Sequence, residues 1–307
     1  MKKAERLGSW RRDLKINTAL YILAIPIIAY FLVFNYAPMF GLIMAFEDFK
    51  PTKGIFGSKF VGLKNFIDFF SGPSFGTIIR NTFVINLLGL LISFPLTIIF
   101  ALQLNEIYCK RFKKTVQTIS YMPYFVSMVV LCGLVIEFCS TNGVITNIAV
   151  KIFGIPRENL LQNPKYFWWI NLASDIWQGL GYGAIIFISA ITTVPQELYE
   201  AATIDGAGRW KKCIHVTIPC IMPTIVTMLI LQCGTMMSLG GDKILLLYNP
   251  SIYETADIIS TNVQRMGIEN MKYGYSAAVG LFNSAVGTTL LLISNAASRR
   301  LADTSII

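Results

Sequence analysis

The stretch Glu200-Ala201-Ala202-Thr203-Ile204-Asp205-Gly206-Ala207-Gly208-Arg209, closing on Val216-Thr217-Ile218-Pro219, is polar and helix-forming, yet it lies between two long apolar runs. Pro195 suits the first turn of a helix, and Glu197 and Glu200 follow it where free backbone N–H groups favour negative charge. Leu198, Ala201, Ala202 and Asp205 then share one face at helical spacing. Gly206 and Gly208 end that helix, a second is predicted over Arg209 to His215, and Pro219 opens the next apolar run. The expected product is a knob of helix, glycine turn and helix.

Around this knob the chain reads as membrane protein. Of 307 residues, 54% are hydrophobic and 14% charged, against about 25% charged in soluble domains. A spanning helix needs roughly twenty apolar residues, and six stretches qualify: Thr18 to Phe40, Ile78 to Leu104, Ile119 to Phe138, Phe167 to Thr192, Ile221 to Leu239 and Ala277 to Ala297. The expected class is all-α with six transmembrane helices. Its divisions are a basic amino terminus (1–17), a first span (18–40), an interfacial segment (41–76), a core of five spans (77–298) holding the loop 195–219, and a tail (299–307).

Lys2, Lys3, Arg6, Arg11, Arg12 and Lys15 precede the first span, which is too long for a signal peptide and shows no small-x-small cleavage site. This places the amino terminus in the cytoplasm, and six spans then put 105–118, 194–218 and the tail there too. Those four segments hold 15 Lys and Arg over about 64 residues, against 10 over about 99 in the three outside loops. Membrane orientation thus accounts for the net charge of +9, and no nucleic-acid partner is implied. Six cysteines without a CxxC pair read as small apolar fillers, and the one histidine, His215, has no ligand set, so no metal is expected.

The Glu200-Ala201-Ala202 triplet, the glycine four residues beyond its second alanine and the apolar-x-apolar-Pro close ten residues after that resemble the EAA loop of binding-protein-dependent ABC importer permeases. The resemblance implies the type I importer permease fold and assigns ATPase coupling to Glu200, Ala201, Ala202, Asp205 and Gly206, seated in a groove of a cytoplasmic ATPase. Asp205-Gly206-Ala207, Leu245-Leu246-Leu247-Tyr248-Asn249-Pro250 and Tyr273-Gly274-Tyr275-Ser276-Ala277-Ala278 are similar to the LplB/YtcP-type carbohydrate permeases within the maltose-importer-like superfamily. Gly241 and Lys243 depart from that pattern, where an aromatic and an amide are usual. The implied partners are a second permease subunit, two copies of the ABC ATPase, an extracellular solute-binding protein, an oligosaccharide and the bilayer. No cofactor and no catalytic residue are expected in the chain itself. No GxxxxGK[ST] cradle occurs in the sequence, so ATP would be bound by the partner subunits.

Pathway candidates come from polar residues inside spans. In the fourth span Asp175 would be costly in lipid, about 2.5–3.5 kcal/mol, so it should face a cavity, a partner or the outer interface. Trp177 and Tyr182 suit stacking on sugar faces, and Asn171 and Gln178 suit hydroxyls; Gly179 and Gly183 form a small-xxx-small pair that equally suits helix packing. Gln232, Thr235 and Ser238 make a polar stripe in the fifth span, and Asn283 and Ser284 lie at similar depth in the sixth. Pro95 predicts a kink, Pro123 the start of the third span, and Glu137 a solvated position at its end. The aromatic-rich segment 41–76 is expected at the membrane interface, and the loop from Gly240 to Lys272 as a polar surface able to receive a partner. The reading is a permease for a neutral oligosaccharide, unless Asp175 is paired with a cation from the partner permease. Import of a non-sugar solute and an ion-coupled secondary carrier are the alternatives.

Overall fold

A computed structural model describes residues 12–237 and 241–302. Expectations for Lys2, Lys3, Arg6, Arg11, Ser238, Leu239, Gly240, the side chain of Arg300 and residues 303–307 lie outside the described residues. Helix α1 (Thr18–Phe46) leads into a hairpin of β1 (Glu47–Asp48) and β2 (Lys59–Phe60), antiparallel with Glu47 opposite Phe60. There follow α2 (Lys64–Phe70), α3 (Phe75–Asn105), α4 (Lys110–Phe125), α5 (Met128–Cys139), α6 (Val144–Phe153), α7 (Pro164–Thr192) and α8 (Gln196–Ile204). The chain ends with α9 (Arg209–Thr235), α10 (Gly241–Leu247), α11 (Ile259–Gln264) and α12 (Tyr273–Ala302). Among the described residues four helices, α1, α3, α9 and α12, are long and apolar enough to cross a membrane, or six if the bent pairs α4–α5 and α7–α8 each count as one.

Prolines shape the long helices without ending them. Wide turns at Leu32–Tyr36, Gly89–Ser93 and Cys213–Thr217 each stop two residues before Pro38, Pro95 or Pro219. A proline lacks an N–H and crowds the carbonyl four residues back, and opening the preceding turn relieves both. Pro219 therefore does not open a new helix, as the sequence suggested. The second arm of the knob and the fifth span are one continuous helix. The third span departs most: α4 and α5 meet at 99°, so Pro123 sits at the end of one helix rather than at the start of a span.

Two seams hold the bundle. In one, Ala101, Ala184, Phe187, Ile191 and Ile221 join α3, α7 and α9; in the other, Phe69, Ile78, Ile259 and Val279 join α2, α3, α11 and α12. Phe69 meets Phe75, Tyr275 and Phe282 edge-on or tilted at 5.1–6.1 Å, so part of the aromatic segment forms core, while Phe56 and Phe60 stay exposed. The expected polar loop after residue 240 also contributes core. Ile244, Leu247, Ile252, Ala256 and Ile258 are buried against Leu131, Cys132, Leu160 and Phe167. Asn81 explains its anchoring: the amide donates to the carbonyls of Glu254 and Asp257 at 3.0 Å. Trp168 adds a second tie to this segment, its indole N–H donating to the Thr255 carbonyl at 2.7 Å.

The tightest helix contact falls at Gly181, not at Gly179, whose Cβ would meet nothing within 4 Å. A methyl at Gly181 would collide with the backbone carbonyl of Ser120 on α4. Gly183 also packs closely, against Thr97 Cγ2 at 3.1 Å from an added Cβ. Gly181→Ala should lower the thermal midpoint of the purified protein, because overpacking costs about 1–3 kcal/mol and backbone yields less than a side chain. A midpoint equal to that of Gly179→Ala would contradict this contact.

Candidate functional site

At one end of the bundle α8 runs from Pro195 to a left-handed Gly206 (φ 74°). The N–H of Ala207 donates to the Ala202 carbonyl at 2.8 Å and that of Gly206 to Thr203 at 3.0 Å, the paired bonds of a Schellman close. Gly206 is there for its backbone: a side chain would meet nothing within 4 Å, but the conformation is strained for any L-residue other than Asn or Asp. Two bonds lash α8 to α9, Tyr199 Oη with Thr217 Oγ1 at 2.9 Å and Lys212 Nζ to Thr203 Oγ1 at 2.7 Å. Glu200, Ala201, Asp205 and Gly206 are exposed and Ala202 is half-buried. Leu198, Ala201, Ala202, Asp205, Ala207, Lys211 and His215 line a groove of about 530 Å³. Ile204 (88% exposed) and Trp210 (80%) stand out from this end. Sequence reading passed over both, since only the fold shows that neither is covered by its own chain.

Deeper in the bundle a cavity of about 480 Å³ gathers Asn86, Ser93, Met128, Asn171, Asp175, Gln232, Asp242, Lys243 and Ser260. Three of the seven pathway candidates, Asn171, Asp175 and Gln232, thus come together. Helical spacing places Asn171, Asp175, Gln178 and Tyr182 on one stripe of α7; Tyr182 lies flat on Tyr124, with ring centroids 3.7 Å apart and planes at 4°. Trp177 projects from the other side of α7 into an apolar groove with Trp169, Leu134 and Phe138, and Asn283 is not among the cavity's lining residues. Thr235 is exposed and bonds back to its own helix. Its place in the expected stripe is therefore not a cavity position.

The residue that sequence reading misplaced is Lys243. It is 3% exposed, and its ammonium sits 2.6 Å from Asp175 Oδ1 and 3.0 Å from the Asn171 carbonyl. The Asn171 amide nitrogen bonds the other carboxylate oxygen at 3.0 Å, which leaves Asn171 Oδ1 buried without a partner. Asp175 keeps 45% of its side chain exposed. The cation that would cancel its charge comes from this chain. Nearer the far end, Arg265 grips Asp257 in a fork at 2.5 and 3.1 Å, and this carboxylate holds the guanidinium well above its usual range.

Residues 93–302 match the family described as binding-protein-dependent transport system inner membrane component. The chain belongs to this family of importer permeases. It is 40% identical over 287 residues to the polygalacturonan/rhamnogalacturonan transport system permease protein YteP of Bacillus subtilis (strain 168), covering 94% of this chain and 89% of the relative. It is equally 40% identical to Protein LplB of the same organism, covering 94% and 90%. Among solved structures, a chain of a bacterial alginate ABC transporter in complex with alginate pentasaccharide-bound periplasmic protein superposes with a TM-score of 0.88 at 38% identity, covering 96% and 99%. The permease is accordingly a membrane transport subunit and not an enzyme; in such importers ATP is hydrolysed by a separate ATPase.

Proposed function

We propose that this permease forms half of the pathway for a uronate-containing oligosaccharide, received from an extracellular binding protein and driven by a cytoplasmic ATPase through the loop 195–219. YteP is named for polygalacturonan and rhamnogalacturonan and the solved transporter for alginate, which are acidic polymers. The observation that carries the substrate class is the Lys243 ammonium 2.6 Å from Asp175. An unpaired carboxylate in the route would repel uronates, and this pairing removes the reason for expecting a neutral sugar. Asp175 still offers oxygen lone pairs to sugar hydroxyls, and Gln232 and Asn171 add neutral partners worth about 0.5–1.5 kcal/mol each. Contacts of that size suit a site that must also release.

Glu200, Ala201, Ala202, Asp205 and Gly206 are the coupling surface in this reading. The alanines let a partner approach closely, Glu200 offers a carboxylate to a cation, and Ile204 and Trp210 offer apolar area. ATP binds in the partner subunits, with none in this chain. In this reading the knob end lies in the cytoplasm with both termini, an orientation that its excess of Lys and Arg supports. Single cysteines at Lys114, Arg209 and Arg299 should be labelled only from the cytoplasm and those at Lys64, Lys165 and Lys272 only from outside; external labelling at Arg209 refutes the orientation.

The function is tested by reconstituting the assembled transporter with its binding protein in liposomes and measuring ATP hydrolysis. Uronate oligosaccharides should stimulate it more than the same oligosaccharides with their carboxyls reduced to alcohols. Stimulation by the reduced sugars alone would restore the neutral reading.

A further inference from the structure

A second groove, of about 430 Å³, opens beside the knob between the last turns of α3 and the first turns of α9. It is polarised along its length. Gln103, Glu106 and Arg209 line one end, where both spans stop, and Ile99 and Ile218 line the other. At 1.5 Å per residue, Ile99 and Ile218 lie about 10 and 13 Å deeper than the polar end. Ile99 is 47% exposed and Ile214 52%, so the chain does not cover this floor itself.

The polar end holds a cation without an acid. The Arg209 guanidinium lies over the Tyr108 ring at 5.0 Å, a contact that holds the charge in place without using its N–H groups. Among the described residues Arg209 has no ion-pair partner, although Glu106 lines the same end. Tyr108 also brings the start of α4 to this place, with Lys110 and Arg111 exposed two and three residues further on. Glu106 is the one carboxylate lining the groove, and these cations outnumber it.

We infer that this groove binds an anionic phospholipid: the phosphate accepts from the Arg209 guanidinium, Lys110 and Arg111 add attraction, and one acyl chain lies between α3 and α9 on Ile99, Ile214 and Ile218. A basic pocket between spanning helices at a membrane surface suits an acidic headgroup, and the guanidinium fork matches phosphate oxygens. The lengthwise order decides for a lipid. A free phosphate would fill only the polar end, and an acidic protein segment would leave the apolar floor bare at bilayer depth. An apolar helix of the second permease would leave Arg209 without an anion. The inference requires α3 and α9 to span the bilayer, and it holds whichever side the knob faces.

Photoaffinity labelling of the assembled transporter in mixed-lipid nanodiscs tests it. Phosphatidylglycerol carrying a diazirine in its acyl chain should label peptides 99–106 and 209–218. A phosphatidylcholine probe with the same chain should label them about tenfold less, the size of one hydrogen bond to a charged group. Arg209→Gln, at an exposed position, should lower phosphatidylglycerol labelling to the phosphatidylcholine level. Ile99→Trp fills the groove and should lower labelling of 209–218 by both probes, and it carries the test if the arginine variant fails to assemble. Equal wild-type labelling by the two probes, or labelling unchanged in both variants, would show an unselective lipid face and overturn the site. Displacement of the probe by inorganic phosphate at constant ionic strength would assign the polar end to a free anion and overturn it too. Absence of label at these peptides also overturns it, and a cross-link from Ile99→Cys to the second permease would then name the occupant.

Discussion

Gly206→Val should yield a permease that inserts and assembles but transports at background rate, while Gly206→Asn retains most activity. The left-handed conformation at Gly206 costs an ordinary L-residue about 1–2 kcal/mol, more for a β-branched one, and asparagine much less. Nothing in this chain lies near the missing Cβ, so valine is not excluded by a clash. Its strain is relieved only by giving up the Ala207 and Gly206 bonds to α8, which frees that helix to swing about its remaining ties at Tyr199 and Lys212. A knob that must seat in a partner's groove loses its aim. Both substitutions add bulk at the same point, and their difference therefore reads backbone strain alone. Uptake and ATPase activity measured on the purified complex decide it: full transport by Gly206→Val would remove the loop from coupling. Glu200→Arg is expected to uncouple through charge at an exposed position, with membrane insertion preserved.

The knob was legible because each of its bonds is local. Helix start, alanine face and glycine stop all lie within a dozen residues, and the structure supplies the Schellman pair and the φ of 74° that the glycine implied. The number of apolar stretches was legible for the same reason, since length and composition set it. What the chain does between distant segments was not. Lys243 read as a loop residue because Asp175 stands 68 positions earlier and only the fold brings them together. The corner at Val126 was hidden because the apolar run continues through it, and hydropathy does not register a change of direction. Trp177 and Tyr182 looked equivalent in the sequence, yet five positions along a helix turn a side chain well away from the first. One now lies in an apolar groove and the other on Tyr124.

The Asp175–Lys243 pair should respond asymmetrically to its two single substitutions. Asp175→Asn leaves an ammonium that is 3% exposed with only the Asn171 carbonyl and an amide beside it. Removing one partner of a buried pair costs about 3–5 kcal/mol, a large part of the roughly 5–15 kcal/mol that holds a fold together; because Asp175 is 45% exposed, solvent screening puts the expected loss at the lower end. Lys243→Met instead leaves a carboxylate that can hydrate through the cavity, with an apolar chain of similar length filling the lysine's place. It should therefore be the milder change for stability and the harsher one for substrate, since Asp175 then stands uncompensated in the route and repels uronates. The double variant Asp175→Asn/Lys243→Met should recover most of the stability lost by Asp175→Asn, because no buried charge remains. Thermal unfolding of the detergent-purified complex and competition uptake with uronate and carboxyl-reduced oligosaccharides measure the two effects separately. Equal midpoints for all three variants would show that the pair is not buried as described. An unchanged sugar preference in Lys243→Met would show that Asp175 does not face the sugar.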